Sequence, residues 1–410
     1  MVTLDLDFAR RQFPAFAEPS LKGTAFFENA GGSYMCQPVL DRLDTYVRQL
    51  KLQPYHASSV STEAGQWMDN SYQALAPWLN VRPGEIYFGP STSQNTYVLA
   101  QAVWGWIKPG DEIIVTNQDH EANGGVWRRL AERGVLVREW QVQPDTGKLL
   151  LTDLQALLHD RVKLLVFPHC SNILGDVNPV ADICALAHKY AVRTIVDGVS
   201  FAGHGLPDCQ ALGADIYLFS LYKVYGPHQG VMVIKRDMAH LLTNQSHFFN
   251  DQERTKRLCP AGPDHAQVAA AQGVGEYFKA LCEHHGIGGD DKQQRARALR
   301  KLLQGAETAQ LETLLDYFTE HPKVRIIGPQ IATQRAPTVS ILVKGHQPMA
   351  LSRQLGAQGI LCGAGHFYSY RLLDAMGLDP QTGVLRFSMV HYTSQQDVQQ
   401  LLAAMHRLLV

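Results

Sequence analysis

The stretch Ile216-Tyr217-Leu218-Phe219-Ser220-Leu221-Tyr222-Lys223-Val224-Tyr225-Gly226-Pro227 runs from an apolar strand straight into a lysine, flanked by hydroxyl residues and closed by a Gly-Pro turn. Around it, short β-branched runs recur at Glu112-Ile113-Ile114-Val115-Thr116, Leu164-Leu165-Val166-Phe167, Thr194-Ile195-Val196-Asp197 and Val231-Met232-Val233-Ile234. Helix-patterned segments such as 182–189 lie between them. Near-continuous apolar strands separated by helices predict an α/β fold with a mostly parallel sheet covered on both faces. Ligands of such sheets sit outside the carboxyl ends of the strands. Asp197 and Ser220 both fall at such ends.

Beyond the sheet, a helical connection is expected from Ala266 toward Tyr277, followed by a charged helical pattern between Gly286 and Gln310. Strands are expected again at 324–327 and 339–343. The chain closes on an amphipathic helix, with Val398, Leu401, Leu402, Met405, Leu408 and Leu409 at helical spacing. Thr393 and Gln396 read as its capping box. A length of 410 residues predicts two or three lobes at roughly 150 residues per domain. The expected division is an N-terminal segment, 1–20, packing with the small domain, a large domain, 21–280, and a smaller α+β domain, 281–410.

Composition narrows the function classes. With a formal net charge of -1, there is no electrostatic case for nucleic acid or an anionic membrane as partner. No apolar run approaches the ~20 residues of a membrane span. The start, Met1-Val2-Thr3-Leu4-Asp5-Leu6-Asp7, lacks the basic-then-apolar order of a signal peptide. Seven scattered cysteines, never spaced as CxxC, predict neither a disulfide framework nor a metal site, and a reducing cytoplasmic location.

The chemistry is carried by side chains that follow successive strands. A desolvated strand-end lysine such as Lys223 has its pKa lowered, so that its free amine can attack an aldehyde and later serve as a base. Asp197 ends a neighbouring strand, where a carboxylate can hold a pyridine nitrogen protonated. Gly89-Pro90-Ser91-Thr92-Ser93-Gln94-Asn95 opens a helix and offers N–H and hydroxyl donors to a phosphate. His120 follows the strand at 113–115 and can stack on a ring. Asn172 follows the strand at 164–167 and can donate to a ring hydroxyl. Each feature alone is ordinary capping or turn chemistry, but the ordered set of five is not plausibly accidental.

Further matching stretches are Phe26-Phe27-Glu28-Asn29-Ala30-Gly31-Gly32, Ser171-Asn172-Ile173-Leu174-Gly175, Asn178-Pro179 and Arg386-Phe387-Ser388-Met389-Val390-His391-Tyr392. Taken together, the set resembles the class V aminotransferase family of fold type I pyridoxal-phosphate enzymes, in its cysteine desulfurase branch, over nearly the whole chain. The resemblance implies pyridoxal 5'-phosphate as cofactor, a seven-stranded sheet in the large domain, an amino-acid substrate and a homodimer. It implies Lys223 as the Schiff-base lysine, Asp197 as the pyridinium partner and His120 as the stacking and catalytic residue. Phosphate contacts fall to Thr92, Ser93, Ser220 and Tyr222, with Asn172 and Ser200 also on the cofactor. Arg386 matches the arginine that grips the substrate carboxylate, a role its guanidinium fork suits. Asn29 and His56 join it as substrate-binding candidates, and His366 and Tyr368 as proton donors.

The chain also departs from the pattern. The desulfurase loop reads Arg-Thr-Gly-His-His-Cys, whereas here it is Gly363-Ala364-Gly365-His366-Phe367-Tyr368. Tyr368 stands at the sulfur-accepting position, and a phenol cannot carry a persulfide. Cys362, just before the loop, is expected to be a buried strand cysteine. Pro263 replaces a threonine that reaches the partner subunit's phosphate in related enzymes. The glycines of 286–289 follow no strand and read as a loop. The leading expectation is therefore β-elimination on a sulfur-containing or other β-substituted amino acid. Aminotransfer or epimerisation, desulfuration through a non-standard thiol, and a non-catalytic binding protein remain as alternatives.

Overall fold

In the computed structural model, which describes residues 2–253 and 255–409, the apolar runs become strands. A short strand, Ala25–Phe26 (β1), precedes Ile86–Gly89 (β2), Glu112–Thr116 (β3), Leu136–Trp140 (β4), Val162–Pro168 (β5), Arg193–Asp197 (β6), Ile216–Ser220 (β7) and Gly230–Ile234 (β8). The last seven form one sheet in the order β2-β8-β7-β6-β5-β3-β4. The run from β4 to β7 is parallel, and β8 is antiparallel to both its neighbours. Every residue of β2, β3, β7 and β8 is buried, so helices cover both faces, as expected of such a sheet. β8 reverses because only the short segment 221–229, which carries Lys223, joins it to β7. The carboxyl ends of β2, β3, β5, β6 and β7 all open on one edge.

A second sheet, of Val324–Ile327 (β9), Thr338–Val343 (β10), Gly363–Gly365 (β12) and Val384–Ser388 (β13), has the antiparallel order β12-β13-β10-β9. Ile360–Leu361 (β11) pairs with β1 in parallel. The chain just after β1, at Glu28, bridges to Ser388. Residues 25–28 thus join the C-terminal layer. The helix Lys292–Glu320 leads into that layer, and the Asp291 carboxylate caps it by accepting from the N–H groups of Gln293 and Gln294.

Two local expectations shift. The connection from Ala266 is two helices, His265–Ala270 and Gln272–His284, broken where Gln272 N–H donates to Ser71 Oγ. The box on the final helix, Gln395–Leu409, is Ser394 with Asp397, each backbone N–H donating to the other's side chain. Thr393 is held one step back, accepting from Val390 N–H. Asp397 also pairs with Arg10, which favours a carboxylate at this helix start. Among the described residues no helix is long and apolar enough to cross a membrane.

The N-terminal segment, with its helix Leu6–Arg11, reaches residues on both sides of position 280. Phe8 stacks on His284 at 3.8 Å, and Arg10 Nε donates to the Tyr392 carbonyl at 2.9 Å. Phe13 is buried against Tyr225, Tyr277 and Tyr392, with ring centroids 5.6, 5.1 and 4.7 Å away. Removing a fully buried phenyl ring costs about 3–5 kcal/mol. Phe13→Ala is therefore expected to lower stability by about that amount in denaturant titration, and to expose the N-terminal helix to limited proteolysis. A stability loss below about 1 kcal/mol would contradict the packing role.

Candidate active site

The site is assembled at the carboxyl ends of the strands. Ser220 ends β7, and a single turn, Leu221–Lys223, delivers the lysine. Tyr225 follows with φ 62, a left-handed backbone that costs free energy unless held. Ser33 Oγ accepts from its N–H at 2.9 Å, and its hydroxyl donates to the Gly203 carbonyl and lies 3.1 Å from His391 Nδ1. A Cβ on Gly203 would come within 2.6 Å of the Lys223 carbonyl oxygen. The lysine is therefore gripped from several elements.

Lys223 lines a cleft of about 560 Å³, partly open to solvent, with Thr92, Ser93, His120, Asn172, Asp197, Ser200, Ser220 and Tyr222. Burial and the nearby charge of Arg386 push the lysine pKa down to about 8, against the pull of Asp197 and Glu28. Asp197 ends β6 and accepts from Val199 N–H at 2.8 Å; burial pushes its carboxyl upward, and the Lys223 charge opposes that. His120 caps the helix Glu121–Arg128, its Nδ1 accepting from Ala122 N–H. Burial together with the charges of Lys223 and Arg386 lowers its pKa to about 4, so the ring is neutral near pH 7.

At one end of the cleft lies the start of the helix Thr92–Ala102, whose cap is the Ser91 hydroxyl. Thr92 Oγ1 and Ser220 Oγ are 2.7 Å apart. A Cβ on Gly89 would overlap the Asn95 amide, and one on Gly230 the backbone of Ser91 and Thr92. These two glycines let the helix start descend onto the strand ends. Helix starts carry N–H groups without intrahelical partners and attract anions. Tyr222 stacks on His228 at 4.7 Å.

Other sequence candidates are engaged with the protein itself or stand away from the cleft. Asn172 borders the cleft, but its amide nitrogen donates to the Phe367 carbonyl and its oxygen accepts from Ser369 Oγ. Asn29 is buried and likewise engaged, donating to the Ser388 carbonyl and accepting from the Tyr392 hydroxyl. His56 lies in a separate cavity with Tyr55, Phe249, Pro263 and His265. Tyr368 stands at the mouth, its ring 5.0 Å from that of His120 and 66% exposed. His366 does not border the cleft; its Nδ1 accepts from Tyr368 N–H. Phe367 and Tyr368 both have positive φ, 46 and 60.

Arg386 is 3% exposed and reaches the site from β13. Its guanidinium donates to the Asn172 carbonyl at 3.2 Å and to Glu28 Oε1 at 2.8 Å, and lies 3.6 Å from the centre of the Phe367 ring. The sequence reading gave Glu28 no role, since its partner lies 358 residues along the chain, and Phe367 only a pocket-shaping one. The nearby thiols are poor nucleophiles: burial raises the pKa of Cys170 far above its ordinary value and that of Cys362 to about 12. Cys362 is half-buried between β11 and β12.

A half-buried lysine of depressed pKa, a buried carboxylate, a neutral imidazole and an anion-receptive helix start converge on one cleft. That donor set suits an aldehyde cofactor bearing a pyridine ring and a phosphate, with Lys223, Asp197, His120 and the Thr92–Ser220 end as the groups that could hold its parts.

Comparison with known proteins agrees. The family description "Aminotransferase class-V" matches residues 25–401. The chain is 32% identical to the aminotransferase-like protein FGM3 of Gibberella zeae, over 99% of each chain. It is 27% identical to a probable cysteine desulfurase of Mycolicibacterium paratuberculosis, over 98% of this chain but only 58% of that protein's length. In fold it is similar to the apo cysteine desulfurase of Thermococcus onnurineus NA1, with a TM-score of 0.84, 21% identity and coverage of 100% and 99% of the two chains. The chain belongs to the class-V aminotransferase family, and is a pyridoxal-phosphate-dependent enzyme of the cysteine desulfurase-like kind.

Proposed function

We propose that the chain catalyses β-elimination on a sulfur-containing or other β-substituted amino acid. The observation that carries this reading is the exposed Tyr368 at the cleft mouth, while the thiols nearest the site, Cys170 and Cys362, are held protonated by burial. Sulfur relay needs a thiolate. Elimination needs only a base and a proton donor.

The cofactor, when bound, supplies an electron sink conjugated to the substrate amine. Lys223 would anchor it, Asp197 would keep its ring nitrogen protonated, and the neutral His120 would pack against the ring. The helix start at Thr92, with Ser93, Ser220 and Tyr222, would hold the phosphate, and Ser200 would also contact the cofactor. Arg386 orients the substrate carboxylate. Once released, the Lys223 amine removes the α-proton, for which a pKa near 8 suits a base working near neutrality. Tyr368 gives a proton to the departing group. The carbon skeleton leaves, after addition of water, as pyruvate and ammonia.

The same lysine and carboxylate serve transamination equally well. A relative named aminotransferase-like supports that as the second reading. A transaminase would need a keto acid to turn over, whereas an eliminase would not.

We also read the protein as a cytoplasmic homodimer. Phe248 and Phe249 are 87% and 67% exposed, beside the cavity that holds His56 and Pro263. Side chains so exposed suit burial against a second copy. Light scattering is expected to give about twice the 45.6 kDa of one chain; a single-chain mass would refute the dimer.

For the reaction, incubation of the cofactor-loaded protein with L-cysteine and, separately, L-cystine is expected to yield pyruvate and ammonia without added keto acid. Alanine in place of pyruvate would overturn elimination and point to desulfuration. For the anchor, borohydride reduction is expected to fix the cofactor on Lys223, seen by peptide mass, and Lys223→Ala to abolish the label. The free-amine fraction of Lys223 grows as pH rises. Capture of the cofactor should therefore accelerate with pH and level off above about 8, not near the ~10.4 of an ordinary lysine.

A further inference from the structure

Glu28 leaves β1 beside Ser388, with which its backbone forms a bridge, two residues along from Arg386. Its Oε1 accepts from the Arg386 guanidinium at 2.8 Å. Its Oε2 is buried and has no hydrogen-bond partner among the described residues. Two glycines shape the space around this carboxylate. A Cβ on Gly31 would come within 2.8 Å of Oε1, and a Cβ on Gly363 would overlap Oε2. Gly363 is also the position where the desulfurase loop carries arginine. Its bare backbone is what lets the acid lie here.

The Arg386 guanidinium is thus engaged on several sides. The Asn172 carbonyl takes one edge, Glu28 another, and the Phe367 ring covers its face. A bidentate carboxylate needs two parallel N–H donors from one edge of a guanidinium. Arg386 Nε has no partner among the described residues, so an incoming carboxylate that pairs Nε with Nη2 competes with Glu28 for Nη2.

We propose that Glu28 is a specificity-determining residue: it occupies Arg386 in place of a substrate carboxylate, so that the site discriminates only weakly between an α-amino acid and the amine lacking that carboxylate. The proposal rests on the reading of Arg386 as the carboxylate anchor. An α-amino acid gains the guanidinium contact but loses the internal ion pair, whereas a plain amine leaves that pair intact. The contribution of the carboxylate to binding is reduced by the difference.

The test compares L-alanine with ethylamine, which differ by the carboxylate, in absorbance titrations of the cofactor-loaded wild type and Glu28→Gln. Loss of the competing charge is expected to tighten L-alanine while leaving ethylamine unchanged. The ratio of their dissociation constants should move at least about tenfold toward L-alanine, the size of one charge-assisted hydrogen bond. An unchanged ratio, or one moving toward ethylamine, overturns the proposal. Should Glu28→Gln not fold, Gly363→Ala places a Cβ against Oε2 and is expected to move the ratio the same way, with the same contrary outcome. Failure of the cofactor reading would be visible separately, as absence of the cofactor band before any amine is added.

Discussion

Burying an ammonium beside a guanidinium is the constraint on which the rest of the site depends. Arg386 is buried and Lys223 half-buried; they repel, and each loses hydration that water would have supplied. A buried charge without a partner is strongly destabilising. Two carboxylates oppose the pair: Asp197 from the end of β6 and Glu28 from just after β1. The two cations and two anions come from the large sheet, the strand β13 and the segment 25–28. The C-terminal layer must therefore close over the strand ends for the charges to balance. Its docking contacts are short and polar, with Ser340 Oγ donating to the Ile173 carbonyl at 2.6 Å and Ala336 N–H to the Gly175 carbonyl at 2.8 Å.

The loop 363–369 meets that closure at some cost in backbone energy. Left-handed conformations at two successive bulky residues, Phe367 and Tyr368, are unfavourable by about 1–3 kcal/mol each. They persist because the loop is tied at several points. Asn172 bonds to the Phe367 carbonyl and to Ser369, Glu121 N–H donates to the Tyr368 carbonyl, and Arg371 pairs with the Glu121 side chain. The result places Phe367 over the guanidinium and Tyr368 beside His120. Strain held in this way marks a loop whose side-chain positions matter more than its backbone comfort.

The large sheet was legible in the sequence because its strands are buried on both faces and carry almost no polar interruption. β2 and β4 were not: no strand was expected at the four-residue Ile86–Gly89, and Leu136–Trp140 alternates exposed and partly buried residues at the sheet edge. Lys223, Asp197, His120, Thr92 and Ser220 were legible because each follows its strand directly, so that chain order fixes spatial order. Asn172 and Asn29 were placed in the right neighbourhood, but both amides are spent on backbone and hydroxyl partners that only the folded chain brings near. His56 lies in another cavity, since it precedes the helix Ser59–Leu79 and no sheet strand directs it. The cap at Ser394 escaped for a similar reason: its Asp397 is held by Arg10 from the opposite end of the chain.

Glu28 illustrates the harder case, in which a residue acquires meaning only through what another position lacks. An arginine at 363 would fill the space of the carboxylate and would itself supply a cation; glycine there removes both the charge and the bulk. With one arginine fewer, the acid at 28 is the counter-charge that Arg386 would otherwise lack while no ligand is bound. Gly363, the Glu28 carboxylate and the ring of Phe367 over the guanidinium therefore form one coupled arrangement around Arg386. Tyr368 belongs to the same strained turn, so the backbone that holds Phe367 over Arg386 also holds Tyr368 beside His120.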